Sequence, residues 1–115
     1  MPYMQVEDIP FEGTVGEDGV LEIATGQING GLEMVEVLVE GNANSIVLKF
    51  REKVIVEDKH PQPANYYFPE AQTNNPDPLA PFNTFGTTSY CLNDPLKILV
   101  EGTQGTIIRG IARYV

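Results

Sequence analysis

His60 is the chain's one histidine and Cys91 its one cysteine, and they stand far apart in sequence. A general base needs a neighbour that fixes its tautomer, and a metal site needs several ligands at set spacings. His60 sits between Lys59 and Pro61 with no such company, so it is expected on a surface loop. Cys91 lies in Thr87-Thr88-Ser89-Tyr90-Cys91-Leu92, where no basic residue favours its thiolate; it is expected to be buried and inert. Carboxylates are paired at Glu7-Asp8, Glu17-Asp18 and Glu57-Asp58. Adjacent strand residues point to opposite faces, so such pairs do not make the two-carboxylate geometry of a glycosidase. None has the spacing of a calcium loop, and hairpin solubility and turn chemistry account for them. Gly102-Thr103-Gln104-Gly105-Thr106 lacks the Gly-Lys-Ser/Thr ending and the following helix of a phosphate loop. No residue set points to catalysis, a metal or another cofactor, and the chain is expected not to be an enzyme.

What remains is aromatic. Residues 60–95 hold seven of the nine prolines and six of the ten aromatic side chains, with no Lys or Arg. Prolines remove donors and disfavour regular ladders, so most of this stretch is expected to be irregular. It is too aromatic and too weakly charged for a solvated linker, and a long irregular segment in a small domain is usually functional. Tyr66, Tyr67, Phe68, Phe82 and Phe85 are the candidate partner-binding residues. Three readings stay open: the rings fold back to cap a sheet edge, they anchor an arm on a neighbour, or the tyrosines stack on sugars. The absence of Trp weakens the last.

The elements that must carry these rings read as strands. Windows 3–8, 12–15, 20–24, 33–40, 45–58, 89–92, 96–101 and 106–115 alternate or are β-branched, and glycine turns cut them. Gly16-Glu17-Asp18-Gly19 predicts a hairpin between 12–15 and 20–24, Gln27-Ile28-Asn29-Gly30-Gly31 a turn, and Asn93-Asp94-Pro95 another. The window 45–58 is the longest strand, with a bulge or bend expected near Glu52; were it to pair with 33–40, Glu36 and Glu40 could face Lys49, Arg51 or Lys53. The last two strands form a hairpin around Gly102-Thr103-Gln104-Gly105, and Ile108, Gly110, Ala112 and Tyr114 supply the core face of the final one. About eight strands at this spacing predict an all-β fold, an antiparallel β-sandwich that is jelly-roll-like, with a small closed barrel as the alternative. The whole chain, 1–115, is expected to be one domain, with 60–95 as an extended loop or arm.

At 115 residues there is room for one core. The net charge of −9 is lopsided: residues 1–41 carry nine acids and no base, while 42–115 carry seven of each. Such a surface repels phosphate backbones and disfavours nucleic acid as a partner. No stretch approaches the ~20 apolar residues of a membrane helix, and the start lacks the basic and apolar regions of a signal peptide. A single cysteine fits synthesis in a reducing cytosol.

The stretch Asn93-Asp94-Pro95-Leu96-Lys97-Ile98-Leu99-Val100-Glu101-Gly102, continuing into Thr106-Ile107-Ile108-Arg109-Gly110-Ile111-Ala112-Arg113-Tyr114-Val115, resembles the small β-rich virion proteins of tailed bacteriophages, above all capsid decoration or cement proteins. That resemblance implies a non-enzymatic protein made in the host cytoplasm and placed on the capsid surface. It implies the major capsid protein or an equivalent shell lattice as partner, homo-oligomers that are often trimers, and no catalytic residues to carry over. A carbohydrate-binding β-sandwich module is the alternative from another class, and a small β-barrel enzyme is the third.

Overall fold

A computed structural model describes residues 6–75 and 84–115. The described chain is all-β and antiparallel, with no helix among these residues. Its strands are β1 (Glu7–Thr14), β2 (Val20–Glu40), β3 (Ala43–Phe50), β4 (Lys53–Asp58), β5 (Ala64–Tyr67), β6 (Glu70–Asn75), β7 (Thr84–Gly102) and β8 (Ile107–Tyr114). Hydrogen bonding orders them β1-β8-β2-β7-β3-β4 in one open sheet, with β5 beside β2 and β6 beside β7.

The sheet is organised by the length of β2. Its first part, through Leu32, pairs with β7, and its second part, from Leu32 to Glu40, pairs with β8 on one side and β5 on the other. The change of partner falls where Gly30 has φ of 151° and a Cβ would come within 2.1 Å of the Val115 carbonyl oxygen. Only glycine fits there. The turn expected at residues 27–31 is therefore a switch point inside a strand, with Gly31 and Val115 exchanging both backbone bonds, at 3.0 and 2.9 Å. Alternation then selects the core. Ile23 and Ile28 from the first part of β2, Val35 and Val37 from the second, Ile46 and Leu48 of β3, Ile98 and Val100 of β7, and Ile108 and Ala112 of β8 join one hydrophobic cluster. The predicted inward face of β8 is thus the buried one. Gly13 of β1 lies over Leu21 and Ile23 of β2, leaving its hypothetical Cβ 3.0–3.1 Å from their side chains.

Neither predicted glycine hairpin forms a ladder. β1 pairs with β8 and β2 with β7, so residues 15–19 and 103–106 carry the chain between the two parts of the sheet. These connections meet the one at 41–42. Val15 N–H donates to Thr106 O (2.9 Å), Gly105 N–H to Val15 O (2.9 Å), Gly102 N–H to Gly19 O (2.9 Å) and Thr103 N–H to Asn42 O (3.0 Å). Turn chemistry fixed where the chain reverses, and burial of the alternate residues decided what each strand pairs with.

The window 45–58 is two strands, β3 and β4, divided where a bend was expected near Glu52, and β3 pairs with β4 and β7 instead of 33–40. The chain reverses at Arg51-Glu52, where Arg51 has φ of 57° without being glycine. Tertiary contacts hold it. The Arg51 guanidinium donates to Asp94 Oδ2 at 2.7 Å and Asn93 Oδ1 at 2.9 Å, and lies 5.2 Å from the centroid of Phe50. Asn93-Asp94-Pro95, in turn, is strand and not a turn, opposite Gln27–Asn29 next to a bulge. There the buried Thr25 hydroxyl accepts the Leu96 N–H at 3.0 Å, replacing a ladder bond.

Candidate functional site

The segment expected to be irregular is largely strand where it is described. Asn65 anchors β5: its amide nitrogen donates to Val37 O at 3.1 Å and Gln62 O at 2.6 Å, and its Oδ1 accepts from Gln62 N–H at 2.8 Å. Val39 N–H donates to Pro63 O at 2.8 Å. With Asn65 turned inward, Tyr66 must turn outward. Tyr66 is 55% exposed and Phe68, just past the strand, 67%. Tyr67 takes the opposite face, half-buried, and its hydroxyl donates to Asp58 Oδ2 at 2.6 Å. Burial first, and then that hydrogen bond, pushes its phenol well above the ordinary tyrosine range.

β6 and the start of β7 then form a two-stranded ribbon, from Glu70 opposite Ser89 to Asn75 opposite Thr84. Among the described residues neither outer edge of this ribbon pairs with another strand. Six residues per strand carry it roughly 20 Å from where β7 joins β2. The molecule is elongated, 56 × 37 × 23 Å, with a radius of gyration of 16.3 Å against about 13 Å for a compact chain of this length. Phe82 lies outside the described residues, as do the side chains of Phe85 and Cys91. Of the five predicted contact residues, Tyr66 and Phe68 stand outward, and Tyr67 is tied to the body.

The other chemical candidates have structural duties. His60 is exposed, and its backbone N–H, not its ring, donates to Asp58 Oδ1 at 2.9 Å. Asp8 receives Arg113 at 2.9 and 3.2 Å, Glu7 receives the Tyr114 hydroxyl at 3.0 Å, and Asp18 receives Val20 N–H at 3.2 Å. Glu57 lies 3.8 Å from Lys59. Among the described residues no group of three or more His, Cys, Asp or Glu could hold a metal ion. No helix of the described residues is long and apolar enough to cross a membrane.

A feature not anticipated from the sequence is an open groove of about 510 Å³ on the outward side of β1, β8 and β2. Pro10, Leu38 and Ile111 line it, with Glu12, Glu36 and Arg109 beside them. The register puts Pro10 opposite Ile111, Ile111 opposite Glu36, and Glu36 opposite Tyr66, one row across four strands. Alternation in each window was visible beforehand. Which windows are neighbours was not. Comparison with protein-family models, curated proteins and solved structures finds no match for this chain.

Proposed function

We propose that this chain is a non-enzymatic structural protein of a tailed-bacteriophage virion, a decoration or cement protein on the capsid surface, made in the host cytoplasm. The observation that carries this is the pair of outward rings, Tyr66 and Phe68, set where the chain leaves the body for a ribbon with open edges. A two-stranded ribbon alone is marginal in water, and its edges gain from a neighbour. Burying each ring against a shell protein contributes about 1.5–3 kcal/mol. Many copies on a lattice make such modest contacts collectively strong. In this reading the chain is one domain whose folded-over sheet is a jelly-roll-like β-sandwich, its two layers sharing β2. Gly13 over Leu21 and Ile23, and one core fed from both parts, support that architecture. The copies form homo-oligomers, trimers on a lattice with threefold positions.

The test is binding of the purified chain to shells assembled without it. Saturable binding is expected, weakened more than about tenfold by Tyr66→Ser with Phe68→Ser. Equal occupancy by the double variant sinks the role of these rings. The exposed Tyr66 ring also favours a second reading, a carbohydrate-binding module. Glycan-array binding lost in Tyr66→Ala, with no shell binding, would replace the first reading by the second.

A further inference from the structure

The groove on the outward side of β1, β8 and β2 has a composition that selects its occupant. Pro10, Leu38 and Ile111 form an apolar floor, and Glu12 and Glu36 stand beside it. The two arginines of this face are already engaged: Arg109 lies 3.4 Å from Glu40, and Arg113 lies 2.9 Å from Asp8. Glu12 and Glu36 have no ion pair and their side chains no hydrogen bond among the described residues. Glu36 is half-buried, with Ile111 opposite on one side and Tyr66 opposite on the other. Arg113 acts on Glu36 only through space, so a carboxylate partly shielded from water and without a direct ion pair gains when a cation docks against it.

The geometry points to this groove as a docking site for a segment of another protein that presents an aliphatic side chain between lysines or arginines. The aliphatic group covers the floor, and the flanking cations meet Glu12 and Glu36. Charge complementarity argues against other occupants. Phosphate-bearing and acidic partners meet an excess of carboxylates, Glu12 and Glu36 with Glu40 nearby, against the one groove-lining base Arg109. A second copy brings a net charge of −9, and several of its own bases are spoken for: Arg51 by Asp94, Lys59 by Glu57, Lys49 by Glu52. A basic partner is attracted by the same field that repels a copy. This inference goes beyond the shell reading and does not depend on it.

The experiment titrates the full chain with an acetylated, amidated seven-residue peptide alternating Lys with Leu, followed by backbone amide shifts. Expected are saturable shifts at Glu12, Glu36, Arg109 and Ile111, and affinity that falls with salt. Glu12→Gln with Glu36→Gln, a surface change that preserves the fold, is expected to weaken binding at least about tenfold. A Lys–Ser peptide, lacking the aliphatic groups, is expected to bind more weakly than Lys–Leu. Phe68→Ser is expected to leave peptide binding unchanged, which separates this site from the rings of the shell reading. The proposal is overturned by shifts that map away from the groove, by a Glu–Leu peptide binding as well as Lys–Leu, or by a double Gln variant that binds like the parent. Dilution of the chain alone moving the same amides would assign the groove to a second copy and overturn it as well.

Discussion

Strands β8 and β6 use the same backbone chemistry to opposite ends. β8 runs between β1 and β2, and its alternate residues Ile108 and Ala112 have no exposed surface. Among the described residues β6 takes its ladder from β7 alone and lies off the main order of strands. A net hydrogen bond contributes only about 1 kcal/mol, because water competes for both groups. What fixes a strand in water is a second neighbour and a buried face. Stability is therefore expected to be concentrated around β8, with the ribbon contributing less.

The harshest way to break this contrast is at Gly110. A Cβ there would lie 1.8 Å from the Glu36 carbonyl oxygen and 2.8 Å from Phe11 Cζ. The backbone of β2 cannot move aside without breaking the rungs that hold β8, so Gly110→Val is expected to destabilise the chain by more than about 4 kcal/mol. Urea unfolding measures it; an unchanged midpoint would mean β8 is not clamped as described. The converse change removes residues 71–88 and joins Glu70 to Ser89, which already face each other, through a two-residue Asn-Gly turn. Stability is expected to change by less than about 1 kcal/mol. A loss of cooperative unfolding in that variant would place the ribbon inside the stabilising core and invert the comparison.

The same contrast explains what could be read beforehand. Strand content and face were legible: the alternation of Val35 and Val37, of Ile46 and Leu48, and of Ile108 and Ala112 marks buried faces directly. Partners were not. Gly16-Glu17-Asp18-Gly19 dictates a reversal with Gly19 at φ of 77°, but the chain reverses across the core and not within the sheet. The inward place of Glu52 announced a bend there, but not that Arg51 would adopt a turn conformation its own type disfavours, held by Asn93 and Asp94 some forty residues away. The proline density of residues 60–95 overstated irregularity where the segment is described, since Pro63 precedes β5 and Pro95 sits beside a bulge, where a missing donor matters little. For the candidate site, the rings were legible as a set, but because the segment was expected to be irregular the strand alternation that turns Tyr66 outward and ties Tyr67 to the body was not.

Each region is also fastened by a carboxylate, and the two fastenings answer to opposite ends of the pH scale. At the root of the ribbon, Tyr67 is bound to Asp58. Tyr67→Phe is expected to cost about 1 kcal/mol at neutral pH, the worth of one partly exposed bond to a charged acceptor. Its phenol is raised in the folded state, by burial and then by Asp58. A raised value means that the contribution is complete below the unfolded tyrosine range, about pH 10, and is lost as pH climbs through the folded value. The parent is therefore expected to lose stability above about pH 10 more steeply than Tyr67→Phe. Tyrosinate absorbance should show a late-titrating group missing from the variant. Parallel alkaline curves for the two proteins would remove Tyr67 from the root.

At the end of β8 the fastening is Arg113 on Asp8, exposed to solvent. The hydrogen bond from Arg113 holds the Asp8 carboxyl below its usual range. A lowered value reverses the sign: the contribution is present above the unfolded aspartate range, about pH 4, and is lost as pH falls through the folded value. Asp8→Asn is expected to lower the thermal midpoint slightly at pH 7, by the least of any change considered, because exposed pairs are screened by water and salt. The difference should shrink in high salt and shrink again as pH falls through the folded Asp8 value, where the parent loses its charge at this position. A difference that survives acid and salt would mean that Asp8 holds β1 on β8 by packing or neutral hydrogen bonding. The clamp on β8 would then extend to the sheet's outermost strand, widening its contrast with a ribbon that has no such neighbour among the described residues.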